Sequence, residues 1–281
     1  MYFFLHIPRT AGTTLNAILA RNFLPEEIIS VYHADDYEKH SAHSADELAH
    51  IRLIQGHLLL QSYEPPLMYG QSVEVFTFLR HPVDRLVSEY AFLRSWKANH
   101  LYSYLNENNI SFRQYIESHD KMLVYRGKNF MTRSISGMDT GGRDYPIPAL
   151  SRAKKNLEQC FGFTGIQERF LESLVLLADF MGLTNILHER INALREKTKP
   201  ELNRDDLAIA EERNKGDMEL YSFACELFAS RVDAKGAAFQ EKVNSFAFLN
   251  AKYQKISDLI EKSTAGEEEG RIVRPKDSLW K

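Results

Sequence analysis

One pattern constrains this chain more than any other: an apolar run that stops at a tight turn and opens a helix, written twice. The first copy is Tyr2-Phe3-Phe4-Leu5-His6-Ile7-Pro8, then Thr10-Ala11-Gly12-Thr13-Thr14, then Leu15, Ile18 and Leu19 at helical spacing. The second is Val73-Glu74-Val75-Phe76-Thr77-Phe78-Leu79, then Arg80-His81-Pro82, then Val83, Leu86, Val87, Tyr90 and Leu93. A short apolar run bounded by a turn reads as a buried strand, and apolar residues three and four apart read as a helix face. Proline suits the first helical turn, which places the second helix start at Pro82. Two strand–turn–helix units predict a mostly parallel sheet covered on both faces.

Further elements fit the same plan. Ser44-Ala45-Asp46-Glu47 has the form of a capping box, and residues 51–60 read as extended core around Gln55-Gly56-His57. Residues 97–148 read as loop-rich, with a turn cluster from Gly137 to Pro148. A helix over 149–160, a strand over Phe161–Ile166, a helix over Gln167–Met181 and a long helix over 205–232 follow. Beyond 239, Phe239, Val243, Phe246, Tyr253, Ile256 and Ile260 share one helical face. That face suits either a helix covering its own core or a homodimer joined through the C-terminal helix. The expected organisation is an α/β domain over 1–235, a C-terminal helix over 236–262 and a flexible, solvated tail over 263–281. Composition sets limits: 281 residues with 35 Lys+Arg against 38 Asp+Glu give a net charge of −3. Dedicated nucleic-acid binders carry a basic excess, so no nucleic-acid partner is expected. No uncharged stretch approaches the roughly 20 residues of a membrane helix. Two cysteines, Cys160 and Cys225, cannot build a disulfide framework; reduced, buried thiols and a cytoplasmic location are expected.

The two turns carry the chemistry. A turn that leaves a parallel strand and enters a helix presents unpaired N–H groups and the positive end of the helix dipole, which suits phosphate or sulfate. In the first turn Gly12 permits close backbone approach, Thr13 and Thr14 add hydroxyls, and Arg9 adds a charged fork. A P-loop NTPase would need a second glycine and a lysine before the hydroxyl residue; neither is present. An ordinary turn with a threonine N-cap is the plain alternative. In the second turn Arg80 stands at the carboxyl end of a buried strand, where open parallel sheets bind ligands, and Ser88 follows about 9 Å along the helix from Pro82. A structural salt bridge would use the same residues.

Taken together, the two segments resemble the sulfotransferases that use 3′-phosphoadenosine 5′-phosphosulfate (PAPS). The likeness is greatest to the carbohydrate branch containing heparan sulfate 2-O-sulfotransferase and to related bacterial enzymes. Its motifs are His6-Ile7-Pro8-Arg9-Thr10-Ala11-Gly12-Thr13 and Arg80-His81-Pro82-Val83-Asp84-Arg85-Leu86-Val87-Ser88. Similar blocks run from Asn156 to Leu174 and from Asp217 to Phe228. The resemblance implies a three-layer, P-loop-like α/β fold with a mostly parallel central sheet flanked by helices, plus a C-terminal helical extension. It implies that Arg9, Thr10, Ala11, Gly12, Thr13 and Thr14 hold the 5′-phosphosulfate and that Arg80 and Ser88 hold the 3′-phosphate. Arg195, Lys197 and Thr198 resemble a late basic loop that closes over the nucleotide, although a solvated helix end reads the same way. The family's usual lysine is Arg9 here, which keeps the charge with a different reach.

Sulfuryl transfer needs alignment, charge stabilisation on the departing phosphate and a base for the hydroxyl proton. No metal is required, and the ten histidines show no metal-ligand spacing. His57 matches the second histidine of the family's His-Gly-His and is the candidate base; a core histidine is the alternative. The first histidine is Gln55 here, so a two-histidine arrangement is not expected. The expected catalytic residues are therefore His57 and Arg9. His81 and Glu89 are reserves that shape the nucleotide segment. The acceptor is a hydroxyl-bearing glycan or small molecule, with Arg133 its expected contact and PAP the second product. A P-loop kinase or NTPase, and a non-catalytic nucleotide-binding relative, are the competing functions.

Overall fold

The computed structural model describes residues 1–32, 35–36, 48–57, 72–138, 147–189 and 200–265. Its centre is a five-stranded sheet of β1 (Tyr2–Leu5), β2 (Ile28–Val31), β3 (Leu53–Gly56), β4 (Glu74–Leu79) and β5 (Phe161–Ile166). The spatial order is β2-β3-β1-β4-β5, and every pairing is parallel. Phe3, Phe4, Leu5, Leu53, Ile54, Phe76, Phe78 and Leu79 are all buried. These near-continuous apolar runs are what a sheet covered on both faces demands. The edge strand β2 went unrecognised in the sequence because it has only four residues, of which two are fully buried.

After β1 the chain forms α1 (Gly12–Leu19), and after β4 it forms α2 (Pro82–Ser95). The connection leaving β1 leads toward β2, while that leaving β4 leads toward β5 on the opposite side. Neighbouring strands whose connections diverge define the switch point of an open parallel sheet, where ligands settle beyond the carboxyl ends. Here that crevice lies between β1 and β4.

The stretch over 97–148 differs from the loop-rich expectation. Its described residues before Ile147 form four short helices: α3 (Tyr102–Glu107), α4 (Phe112–Glu117), α5 (Lys121–Gly127) and α6 (Phe130–Ser136). The polar residues that suggested loops are helix caps. Ser111 accepts from the Gln114 amide while the Gln114 side chain accepts from the Ser111 amide; Asp120 accepts from the Met122 amide. Such caps supply the partners that a first helical turn lacks. These helices enclose a second apolar core of Val83, Leu86, Tyr90, Leu93, Leu105, Phe112, Tyr115 and Leu123. The Gly137–Pro148 turn cluster lies mostly outside the described residues, as do Ser44–Glu47, His40 and His43.

The chain continues through α7 (Ile147–Gln159), then β5 and α8 (Phe170–Met181). The single helix expected over 205–232 is two. α9 (Arg204–Arg213) ends at Asn214, and α10 (Lys215–Ala265) begins next. The Asn214 side chain accepts from the Asn129 amide and donates to the Gly127 and Ala210 carbonyls, so it serves neighbouring backbone at the break. Within α10, Gly236 takes φ 69° and ψ −167°, which interrupts the helix in a region that glycine alone enters without strain. Past this break Phe239, Val243 and Phe246 are buried, whereas Ile256 and Ile260 are exposed at 57% and 58%. The helix therefore covers its own core only along its nearer part. Residues 266–281, most of the expected tail, lie outside the described residues. Cys160 is exposed and Cys225 half-buried, so the expected burial of both thiols does not hold. Among the described residues no helix is long and apolar enough to cross a membrane.

Candidate nucleotide site

The parallel register fixes what stands at the crevice. Leu5 lies beside Gly56 on one side and Thr77 on the other, and Val31 lies beside Gly56 in turn. The residues that follow, His6, His57 and Tyr32, consequently emerge together at the carboxyl ends of β1, β3 and β2. The His6 amide continues the ladder by donating to Gly56 O at 2.9 Å.

The loop from β1 to α1 is tightly coiled. Arg9 and Ala11 adopt φ 70° and 72°, left-handed conformations that L-residues seldom adopt and that concentrate at functional sites. The Thr10 hydroxyl donates to Ile7 O at 2.7 Å and is fully buried, so Thr10 fixes the loop from inside. Ala11 is the N-cap and has no side-chain capping bond, which overturns the reading of an ordinary threonine-capped turn. Thr13 is half-buried and Thr14 buried beside it. Gly12 is required: a Cβ there would lie 1.7 Å from His6 Nε2.

The two corners meet. Arg9 donates from Nε to Ser88 Oγ at 3.0 Å, and Arg80 donates from Nη1 to Arg9 O at 3.3 Å. The Arg9 guanidinium lies 4.5 Å above the Phe92 ring. Among the described residues neither Arg9 nor Arg80 forms an ion pair with a carboxylate. Burial lowers the pKa of the Arg9 guanidinium; Glu89 opposes this, and Arg80 and Arg85 add to it. Burial likewise lowers Arg80, with Asp84 and Glu168 opposing it and Arg85 adding to it. Two half-desolvated, mutually repelling cations without an ion-paired carboxylate make a place that favours an anion. The structure thus brings together Arg9, Thr10, Ala11, Gly12, Thr13, Thr14, Arg80 and Ser88. Arg195, Lys197 and Thr198 lie outside the described residues.

Behind these residues sits a buried charge cluster that the sequence reading did not anticipate. Glu89 pairs with Arg126 at 2.8 Å, and Arg85 donates to Arg126 O at 3.0 Å. Burial alone would raise the Glu89 carboxyl, but Arg126, with Arg85 and Arg9 behind it, holds it below the usual range. Arg133, the expected acceptor contact, stands on α6. It is 1% exposed, donates to Lys128 O and lies 5.6 Å from the centre of the Phe130 ring. Its bond to Lys128 ties the residue after α5 to α6. On the other flank, Glu168 accepts the His81 amide and the Tyr221 hydroxyl, each at 2.8 Å, and ties the loop after β4 to α10.

His57 is exposed, with its ring centre 4.6 Å from that of His6 and 4.8 Å from that of Tyr32. A second histidine therefore does stand beside it, supplied by β1 and not by the position of Gln55. Gln55 instead donates to Ser30 Oγ at 3.0 Å. His6 was visible within the first motif, but its place beside His57 follows only from the strand register.

The chain matches the family model described as the Sulfotransferase family over residues 2–224. It belongs to the sulfotransferase family. No curated protein matches it by sequence. Among solved structures it is similar to the crystal structure of mouse sulfotransferase SULT7A1 complexed with PAP. That similarity has 12% identity and a TM-score of 0.36, over 77% of this chain and 65% of the mouse chain. The match therefore spans less than two thirds of that chain's length.

Proposed function

We propose that this protein transfers a sulfuryl group from PAPS to a hydroxyl, with His57 as the general base. The observation that carries the reading is the meeting of Arg9, Arg80 and Ser88 at the switch point, with neither arginine ion-paired to a carboxylate among the described residues. The residue types fit a nucleotide bearing two anionic ends. The Ser88 hydroxyl accepts from Arg9 and retains its own proton to donate. The amino end of α1 opens without a side-chain cap, and Gly12 leaves the backbone accessible. Arg9 and the amides after Ala11 would hold the 5′-phosphosulfate, and Arg80 with Ser88 the 3′-phosphate.

PAPS supplies an activated sulfuryl group whose leaving group is a phosphate. The chain's own contributions are orientation, charge and one proton transfer. Arg9 places fixed positive charge where negative charge grows on the departing phosphate, and preorganised charge of this kind is commonly the largest catalytic factor. His57 takes the acceptor's hydroxyl proton as the new S–O bond forms. An imidazole with an unperturbed pKa of about 6.5 suits this near neutrality, and general-base assistance contributes about 10²–10⁴-fold. A carbohydrate acceptor is our reading from the motif resemblance, and a cytoplasmic location accords with the two free thiols. The exposed Leu259 and Ile260 of α10 support a homodimer through that helix, which sedimentation tests directly.

The decisive experiment is calorimetry with PAP on wild type and Arg80→Ala. Saturable binding that the substitution weakens supports the reading; absent binding, or equal binding by both, overturns it. A Mg²⁺-dependent preference for ATP over PAP would favour a kinase or NTPase. Labelled sulfate reaching a glycan panel with wild type but not with His57→Ala separates an enzyme from a binding relative.

A further inference from the structure

Arg80 leaves the sheet held from two sides. On the β1 side its Nη1 donates to Arg9 O at 3.3 Å. On the β5 side the next amide, that of His81, donates to Glu168 Oε1 at 2.8 Å. The other Glu168 oxygen accepts the Tyr221 hydroxyl of α10, also at 2.8 Å. One exposed carboxylate thus engages two separate segments, one oxygen to each. His81 is the N-cap of α2 and makes no side-chain capping bond, and Pro82, which follows it, has no N–H. The His81 carbonyl accepts the Arg85 amide at 2.9 Å. With both backbone groups of His81 occupied, the peptide directly after the Arg80 Cα is fixed in direction, and it sets the line along which the guanidinium leaves the chain.

Glu168 is itself anchored. It lies in a 3₁₀ turn (Gln167–Arg169) after β5, and the pairing of Leu79 with Ile166 brings that turn beside the β4 corner. Buried Ser173 accepts the Ile166 amide at 2.9 Å and donates to the Ile166 carbonyl at 3.0 Å. The neighbouring cation Arg169 is drawn to Glu172 by two bonds of 2.6 Å. An ionised carboxylate only accepts, so Tyr221 donates. Burial, then Glu168, then the Cys225 thiol raise the Tyr221 pKa and keep that proton in place.

We propose that Glu168, steadied by Tyr221, is a positioning residue for Arg80 and so determines how well the site distinguishes a nucleotide bearing a 3′-phosphate from one without it. The inference deepens the PAPS reading and rests on it. Charge alone would act in the opposite sense. Glu168 is near enough to Arg80 to act on it electrostatically, and a carboxylate there offsets part of the attraction an anion would meet. The sign of the effect of removing that charge therefore separates holding the loop from opposing the ligand.

The test is titration calorimetry of the full-length protein with PAP and with 5′-AMP, which lacks the 3′-phosphate. Glu168→Gln removes the charge and one of the two acceptor oxygens. Its PAP affinity should fall about threefold to thirtyfold, the order of one lost hydrogen bond, while 5′-AMP affinity stays within about twofold. In the Arg80→Ala background the same substitution should change PAP affinity by less than about twofold, because no guanidinium is left to place. Tyr221→Phe keeps the ring, loosens the carboxylate and should lower PAP affinity about twofold to fivefold, again sparing 5′-AMP; it carries the test if Glu168→Gln fails to fold. Unchanged or tighter PAP binding by Glu168→Gln overturns the proposal. Equal losses for PAP and 5′-AMP also overturn it, since they mark a general loosening of the fold. A wild type that binds PAP no more tightly than 5′-AMP overturns the PAPS reading and this inference with it, whereas a selective wild type whose selectivity survives Glu168→Gln overturns this inference alone.

Discussion

Arg9 and Ser88, 79 residues apart, share one hydrogen bond of 3.0 Å that couples the loop after β1 to the second turn of α2. The serine oxygen accepts from the guanidinium, so its own proton remains available for an anion. This bond makes the two corners a single cationic surface. Replacing Ser88 with Ala removes one donor and frees Arg9 to move. PAP affinity should fall about 10–100-fold, as expected for a hydrogen bond to a charged group, and titration calorimetry measures it.

Gly12 should tolerate no side chain. A methyl group there collides with the His6 ring at 1.7 Å. Because His6 is enclosed by Phe4 and Tyr32, it has little room to retreat. Gly12→Ala should cost about 1–3 kcal/mol of stability, the usual range for overpacking. It should also abolish PAP-induced stabilisation in a thermal-shift assay.

Exchange of Arg9 for Lys separates charge from geometry. Lysine keeps the cation but lacks the Nε–H that reaches Ser88 and the planar group that lies over Phe92. PAP binding should weaken less than tenfold in Arg9→Lys and about 100-fold or more in Arg9→Ala, taking up to about 3 kcal/mol for each lost charged contact. Equal losses in the two variants would contradict this division.

The buried Glu89–Arg126 pair predicts an acid-sensitive fold. Its folded carboxyl is held below the ordinary value, so the unfolded chain binds more protons in acid. The stabilisation is present above about pH 4.3, the ordinary glutamate value, and is lost as pH falls through the folded value. Glu89→Gln should cost up to about 3 kcal/mol at pH 7, the low end for breaking a buried pair because Arg126 is partly exposed. Urea titrations at pH 7 and pH 4 should show the gap between wild type and variant narrowing in acid.

Asp217 holds the amino end of α6. Its carboxylate accepts the Met131 amide at 3.1 Å, the Thr132 amide at 2.7 Å and the Thr132 hydroxyl at 2.8 Å. Asp217→Ala orphans three buried donors and should destabilise by at least about 3 kcal/mol, at about 1 kcal/mol per donor. Guanidinium unfolding gives the value.

The strands were legible where apolar runs met clear turns. β1, β4 and β5, with the helices that follow them, follow from periodicity and from Pro82. The short helices α3 to α6 were not legible, because Ser111 and Asp120 cap a helix with the same chemistry by which they initiate a turn. The break at Asn214 escaped notice because asparagine is only mildly unfavourable within a helix, and its buried partners belong to distant segments. At the candidate site, Arg9, Arg80 and Ser88 were visible as a spacing. The meeting of His6 and Tyr32 with His57 was not, because it depends on the order β2-β3-β1, and an unaligned sequence carries no record of strand order. The burial of Arg133 was hidden for a related reason: a lone arginine among aromatics reads as exposed until its helix is seen to be packed.

The grip of Asp217 on α6 also has a meaning in time. A polypeptide leaves the ribosome amino end first, and Thr132 emerges 85 residues before the carboxylate that caps it. At about 5–20 residues per second, that interval lasts about 4–17 s. During it the donors of Met131 and Thr132 have no Asp217 carboxylate to pair with, only water. Closure of the amino end of α6 is therefore a late event in the life of the nascent chain, deferred until the start of α10 has been made.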